Sequence, residues 1–93
     1  MPKQTVTTSA VALTSYEVGK SVFLKAPSTN TAPIWFGYSN AITAGTADAT
    51  DGMILSAGET FTVDALRCGR SSGNIYVRVP AAASTQTVYF DAR

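Results

Sequence analysis

Short runs of alternating apolar residues, bounded by glycine or proline, are the feature that most limits how this chain can fold. Alternation of this kind is typical of half-buried β-strands, and glycine and proline mark the turns between them. No segment keeps a 3.6-residue apolar period over the roughly ten residues that a helix needs. A shorter strand is predicted around Met53 to Leu55. The alternating apolar positions are Val11 and Leu13; Val22, Leu24 and Ala26; Ile34 and Phe36; Phe61, Val63 and Ala65; Ile75, Val77 and Val79; and Val88 and Phe90. The sequence predicts an all-β fold, a small antiparallel β-sandwich or barrel of about seven or eight strands.

The length of 93 residues allows one hydrophobic core and therefore one domain. Residues 1–10 are predicted to be an N-terminal arm, because Val6 is the only sizeable apolar residue after Met1 among the first nine residues. Residues 11–93 are predicted to form the single β-domain. The stretch 39–51 is built of small polar residues and is interpreted as a surface crossover. We expect the arm and the crossover to be mobile in the free protein and to become ordered against a neighbour.

One motif occurs twice in the chain, as SVFLKAPSTNTAPIWFG at residues 21–37 and as NIYVRVPAAASTQTVYFD at residues 74–91. Each copy is predicted to be a β-hairpin whose first strand ends at a proline, because proline cannot donate to the ladder. Successive side chains of a strand point to opposite faces, and this parity assigns the apolar residues of each copy to the face that lies against the core. The predicted core residues are Val22, Leu24, Ile34, Phe36, Phe61, Val63, Ile75, Val77, Val88 and Phe90.

The same parity places aromatic and basic side chains on the side away from the core. Phe23 is predicted to lie opposite Trp35, and Tyr76 opposite Tyr89. These aromatics, together with Lys25 and Arg78, are the candidate partner interface: Phe23, Lys25, Trp35, Tyr76, Arg78 and Tyr89. Interface cores are enriched in aromatic residues and arginine. The alternatives are internal cross-strand packing beneath the arm or crossover, and stacking of a sugar on the aromatic rings.

Charge and residue usage argue against several function classes. Charged residues make up 14% of the chain and the formal net charge is +1, which provides no field to attract nucleic acid or a membrane surface. The chain contains no histidine, so Ser-His-Asp and Cys-His catalysis and most zinc sites are not expected. Asp48 and Asp51 lie in one loop, but DATDG does not have the dense ligand spacing of a calcium loop, and Asp51-Gly52 is interpreted as a turn. The prediction is a non-enzymatic protein with no cofactor and no metal.

The single Cys68 lies in RCGRSSG and has no second cysteine with which to pair. With no histidine to serve as a base, a structural role is expected for this thiol. The polar N-terminal segment does not have the apolar core of a signal peptide, and no long apolar run is present. We therefore expect a soluble protein that is made in the cytoplasm.

Several segments resemble small β-rich virion proteins of tailed bacteriophages, namely capsid decoration or cement proteins and head-associated proteins. The shared elements are a strand ending in K-A, an N-T turn, I-W-F-G, the pattern T-x-G-x-x-L-x-A-G-E and a closing I-Y-V strand. The resemblance spans roughly residues 11–91. It implies a protein that binds the assembled capsid, with the major capsid protein as its partner, that is commonly oligomeric and that has no catalytic residue. A trimer on a capsid with local threefold symmetry is favoured, because self-association is one way to cover the outward aromatics. The alternative is a tail-associated or head-fibre module that recognises host-surface glycan.

Overall fold

Two four-stranded antiparallel sheets form the fold in the computed structural model, which describes residues 2–42, 52–80 and 83–93. The strands are β1 Lys3–Val6, β2 Val11–Ala12, β3 Ser21–Lys25, β4 Ile34–Gly37, β5 Met53–Leu55, β6 Thr60–Asp64, β7 Tyr76–Arg78 and β8 Gln86–Ala92. The first sheet has the strand order β1-β8-β3-β6 and the second has the order β2-β7-β4-β5. A 3₁₀ turn at Ser72–Asn74 precedes β7. The all-β prediction is confirmed, and the arrangement is a sandwich of eight strands in the described part of the chain.

The prediction that each copy of the repeated motif forms a hairpin is wrong. In the first copy, β3 belongs to the first sheet and β4 to the second; in the second copy, β7 belongs to the second sheet and β8 to the first. Each copy therefore crosses from one sheet to the other instead of folding back beside itself. The alternation of buried and outward side chains is the same in both arrangements. It depends only on which face of each strand lies against the core, and not on whether the two strands of a copy belong to one sheet or to two.

The two copies pair with each other instead of within themselves. Strand β3 of the first copy pairs with β8 of the second, where Leu24 lies opposite Phe90. Strand β4 of the first copy pairs with β7 of the second, where Phe36 lies opposite Val77. Leu24 and Val77 occupy equivalent places in the motif, as do Phe36 and Phe90, so exchanging the two copies converts one pairing into the other.

The loop of the first copy is fastened to the second copy by side-chain hydrogen bonds. Asn30 Nδ2 donates to the backbone carbonyl of Thr87 at 2.8 Å, and Asn30 Oδ1 accepts from the backbone N–H of Thr87 at 3.2 Å. The amide of Thr31 donates to Gln86 Oε1 at 2.8 Å, and Gln86 Nε2 donates to Thr31 Oγ1 at 3.0 Å. These reciprocal bonds hold the connection between the two sheets in place.

The core predicted from parity is confirmed at nine positions and needs a correction at Phe61. Phe61 is only half-buried because it lies on β6, which is an edge strand of the first sheet. Its ring contacts Phe36 with a centroid distance of 5.1 Å. The fully or nearly fully buried predicted residues are Val22, Leu24, Ile34, Phe36, Val63, Ile75, Val77, Val88 and Phe90.

The N-terminal segment is a strand of the first sheet and not an arm. Lys3 to Val6 pair with β8, and the side chain of Val6 is fully buried in the core. The strand forms although its other residues are polar, because the exposed edge of the seven-residue β8 supplies backbone partners. Most of the predicted crossover, including Asp48 and Asp51, lies outside the described residues.

Cys68 packs into the core from the turn that follows β6. Its side chain is buried, and the thiol lies 3.6 Å from the carbonyl oxygens of Asp64 and Ala65. The turn is closed by Gly69 and Arg70, both of which have positive φ angles near 60°. The structural role expected for this cysteine agrees with its position.

Candidate partner-binding surfaces

The six predicted interface residues are divided between the two outer faces of the sandwich. Three lie on the first sheet and three on the second, so they do not form one surface. All except the exposed Lys25 are partly buried. The first-sheet set is Phe23, Lys25 and Tyr89, and the second-sheet set is Trp35, Tyr76 and Arg78. The predicted pairs Phe23–Trp35 and Tyr76–Tyr89 are wrong, because the members of each pair lie on different sheets.

The outer face of the first sheet is partly covered by the C-terminal residue. Phe23 lies opposite Asp91 in the β3–β8 register, and Arg93 places its guanidinium 5.7 Å from the centre of the Phe23 ring. Arg93 Nε also donates to Asp91 Oδ2 at 3.0 Å. Lys25 lies opposite Tyr89 on the same face. Charged side chains therefore surround the aromatic rings on this side.

The outer face of the second sheet carries a more apolar row. Trp35 lies opposite Ile54 of β5 on one side and opposite Arg78 of β7 on the other. The side chain of Ile54 is 51% exposed, which makes it the most accessible apolar group in this row. The sequence analysis did not single out Ile54, although it is the strand neighbour of the buried Leu55 and must therefore point outward. Ile54, Trp35 and Arg78 are hereafter called the second-sheet row.

The chain itself covers one end of the second-sheet face. Ile42 is buried against Gly37, where an added Cβ would lie 2.6 Å from Ile42 Cγ2. The Ile42 carbonyl accepts a hydrogen bond from Arg78 Nη1 at 3.1 Å. Within the described ranges, Arg78 Nε and Trp35 Nε1 are shielded from solvent and have no hydrogen-bond partner. The beginning of the predicted crossover thus packs over this face and fixes the Arg78 side chain, as internal packing beneath the crossover would require.

An open groove of about 270 Å³ lies at the C-terminal end of β8. It is lined by Pro2, Tyr16, Glu17, Asp91 and Ala92. Tyr16 is 44% exposed and packs its ring 6.0 Å from that of Phe90, measured between centroids. An accessible aromatic ring beside two carboxylates is a surface on which a hydroxylated ligand can stack and donate hydrogen bonds.

A second groove, of about 220 Å³, runs between the edge strands β5 and β6. Partial burial raises the pKa of the Tyr38 hydroxyl above its ordinary value, and the nearby Arg67 acts in the opposite direction. Its lining residues are Tyr38, Met53, Phe61, Thr62, Val63, Asp64 and Arg67. Sequence reasoning did not identify this groove, because it depends on which strands become the edges of the two sheets.

Other chemical features are sparse in the part of the chain that the structure describes. It contains no group of three or more His, Cys, Asp or Glu side chains that are placed to hold a metal ion. Across residues 2–42, 52–80 and 83–93, no helix has the length and apolar character required to cross a bilayer.

Comparison of this chain with protein-family models, curated proteins and solved structures found no match.

Proposed function

We propose that this protein is a structural component of a phage virion that binds the assembled capsid surface and reinforces it. The proposal rests on the resemblance of its motifs to small virion proteins of tailed phages and on the character of its surface. The partner is the major capsid protein, and the protein is located on the outer surface of the virion. No cofactor and no catalysis are part of the proposal.

The observation that carries the proposal is the second-sheet row. Ile54, Trp35 and Arg78 lie side by side across three strands. Ile54 is exposed and the other two side chains are partly buried, so the row presents an apolar and aromatic surface bordered by a cation that the Ile42 carbonyl holds in place. Aromatic residues and arginine are the side chains that most often act as anchors in protein interfaces. Because the strands hold these groups on a rigid sheet, little conformational entropy is lost when a partner covers them.

The low charge of the chain suits contacts with a lattice of capsid subunits. Contacts made through shape and apolar area persist when the salt concentration changes, whereas exposed ion pairs are screened and contribute little. Self-association on the capsid belongs to the proposal, where a local threefold axis of the lattice would hold three copies together as the trimer predicted from the sequence.

The direct experiment is to measure occupancy on purified particles and to locate the chain by reconstruction. Quantitative gel densitometry of purified particles should show hundreds of copies of the chain, whereas a tail-associated or head-fibre module would show a few tens at most. A chain found at low copy number on the tail, with none on the capsid surface, would refute the proposal.

The second candidate function is recognition of host-surface glycan by a tail-associated or head-fibre module. The groove beside Tyr16 favours it, because Glu17 and Asp91 can accept hydrogen bonds from sugar hydroxyls next to the exposed ring. Binding of the protein to a panel of host-surface oligosaccharides, with Tyr16→Ala as the variant that removes the ring, tests this candidate. Loss of binding in Tyr16→Ala, with particle occupancy unchanged, would support the glycan function over capsid binding.

A further inference from the structure

Strand β6 is an edge of the first sheet, and the outward backbone groups of Thr60 and Thr62 have no partner among residues 2–42, 52–80 and 83–93. The outward carbonyl of Asp64, at the end of the strand, accepts a hydrogen bond from the Arg67 amide at 3.0 Å. At its two ends, Ala65 donates to the Lys20 carbonyl and Ala26 donates to the Glu59 carbonyl. Because bonded and non-bonded pairs alternate in an antiparallel ladder, the N–H and C=O groups of Thr60 and Thr62 point away from β3. An unpaired row of this kind is a template for a further strand.

The other three edge strands are shorter or carry features that discourage pairing. Strands β2 and β5 have two and three residues, and β1 has Pro2 and Lys3 at its start. Strand β6 has five residues, TFTVD, with no proline, glycine or lysine. Natural sheets use short edges, proline and lysine to prevent strand addition, and β6 uses none of these.

We propose that β6 pairs with β6 of a second copy of this chain about a two-fold axis that passes beside Thr62. In this antiparallel register, Thr62 lies opposite Thr62 of the second copy and Asp64 lies opposite Thr60. The groups that point outward on one strand then meet the groups that point outward on the other, and the two first sheets become one continuous sheet. This pairing does not depend on binding to a capsid.

Charge complementarity favours a second copy as the occupant. Glu59 precedes β6 and Arg67 follows it, and both are exposed. The two-fold axis brings the Arg67 end of one strand to the Glu59 end of the other, so opposite charges meet at both ends of the contact. No pair of like charges faces across the strands, and Thr62 facing itself is a favourable cross-strand pair.

The pairing also accounts for the most exposed large apolar residue among the described positions. Leu66 is 81% exposed and lies in the turn directly after β6. In the proposed register it approaches Gly58 of the second copy, which has no side chain to obstruct the approach. The contact is small, and we therefore expect weak self-association that strengthens when copies are held together on a lattice.

The test is sedimentation velocity of the full chain over a range of concentrations. The wild type is expected to shift from monomer to dimer as the concentration increases. Thr62→Lys and Thr62→Asp should each remain monomeric, because each places like charges opposite each other at the axis. An equimolar mixture of the two variants should recover the dimer, since lysine then faces aspartate.

Thr5→Lys is the matched control, because Thr5 is also an exposed threonine on an edge strand of the first sheet. Its side chain, like that of Thr62, points to the outer face of that sheet. It should dimerise like the wild type. Circular dichroism of all variants establishes that they fold, and the Thr62 amide should gain protection from hydrogen exchange as the concentration increases. A wild type that is monomeric at all concentrations, a trimer, or a dimer that survives both Thr62 substitutions would overturn the proposal.

Discussion

Trp35 lies opposite Arg78 in the register of β4 and β7, and the equivalent pair of the other sheet, Tyr89 opposite Lys25, repeats the relationship. In each pair, an aromatic residue from the second strand of one motif copy faces a cation from the first strand of the other copy. The repetition in the sequence is therefore a repetition of cross-strand contacts between copies. Each outer face receives one aromatic–cation pair, which explains why the motif places large side chains away from the core.

Phe36 and Phe90 are the largest fully buried side chains among the described residues. Phe36→Ala should lower the free energy of unfolding by about 3–5 kcal/mol, because it removes a fully enclosed ring and leaves a cavity. Urea denaturation measures the loss. Phe23→Ala on the outer face is the matched control and should cost clearly less, and equal losses would mean that the two faces had been assigned incorrectly.

Gly37 and Ile42 should be energetically coupled. Gly37→Ala is expected to destabilise the protein, because the new methyl would lie 2.6 Å from Ile42 Cγ2. Shortening Ile42 to alanine in the same chain removes the clash, so the double variant should be more stable than the sum of the two single losses predicts. A double-mutant cycle by thermal denaturation measures the coupling, which should be about 0.5–3 kcal/mol. Strict additivity would contradict the packing of Ile42 on Gly37.

Asn30 should stabilise the fold through the backbone of Thr87. Asn30→Ala leaves the N–H and C=O of Thr87 without their side-chain partners and should cost about 1–3 kcal/mol. Thr29→Ala, at the exposed neighbouring position, is the control and should have little effect. If the two variants denature at the same urea concentration, the Asn30 bonds do not hold the loop.

The N-terminal strand should contribute to stability although its sequence is mostly polar. Val6→Ala is expected to cost about 1–3 kcal/mol, because Val6 is fully buried in the core. Lys3→Ala, on the exposed side of the same strand, should be nearly neutral. Slow hydrogen exchange at the amides that pair with β8 would support the strand in solution, and fast exchange throughout residues 2–6 would restore the interpretation of this segment as an arm.

Trp35→Ala tests whether Trp35 anchors a partner or contributes only to internal packing. If the second-sheet row anchors the protein on capsids, this substitution should weaken particle binding by about 2 kcal/mol or more while costing the free protein much less. Occupancy on particles and the melting temperature are measured together, with Phe23→Ala on the opposite face as the control. Unchanged occupancy combined with a sharply lower melting temperature would make Trp35 a packing residue.

For the strands with alternating apolar residues, the position and the buried face follow from the sequence, because a period of two relates neighbouring residues of one strand and needs no partner. Val22, Leu24, Ile34 and Phe36 were assigned to the core on this basis, and all four are buried. The outward direction of Trp35 and Arg78 followed from the same rule.

Strand pairing was decided by the tertiary structure alone. Alternation shows which face is apolar but not which strand lies alongside, so a hairpin and a crossing between sheets have the same pattern in residues 21–37. The edge position of β6 and the grooves beside Tyr16 and Tyr38 depend on contacts between residues far apart in the chain. The burial of Val6 also required β8 as a partner, because the backbone bonds that order a polar strand are supplied by its neighbour and leave no mark in its own sequence.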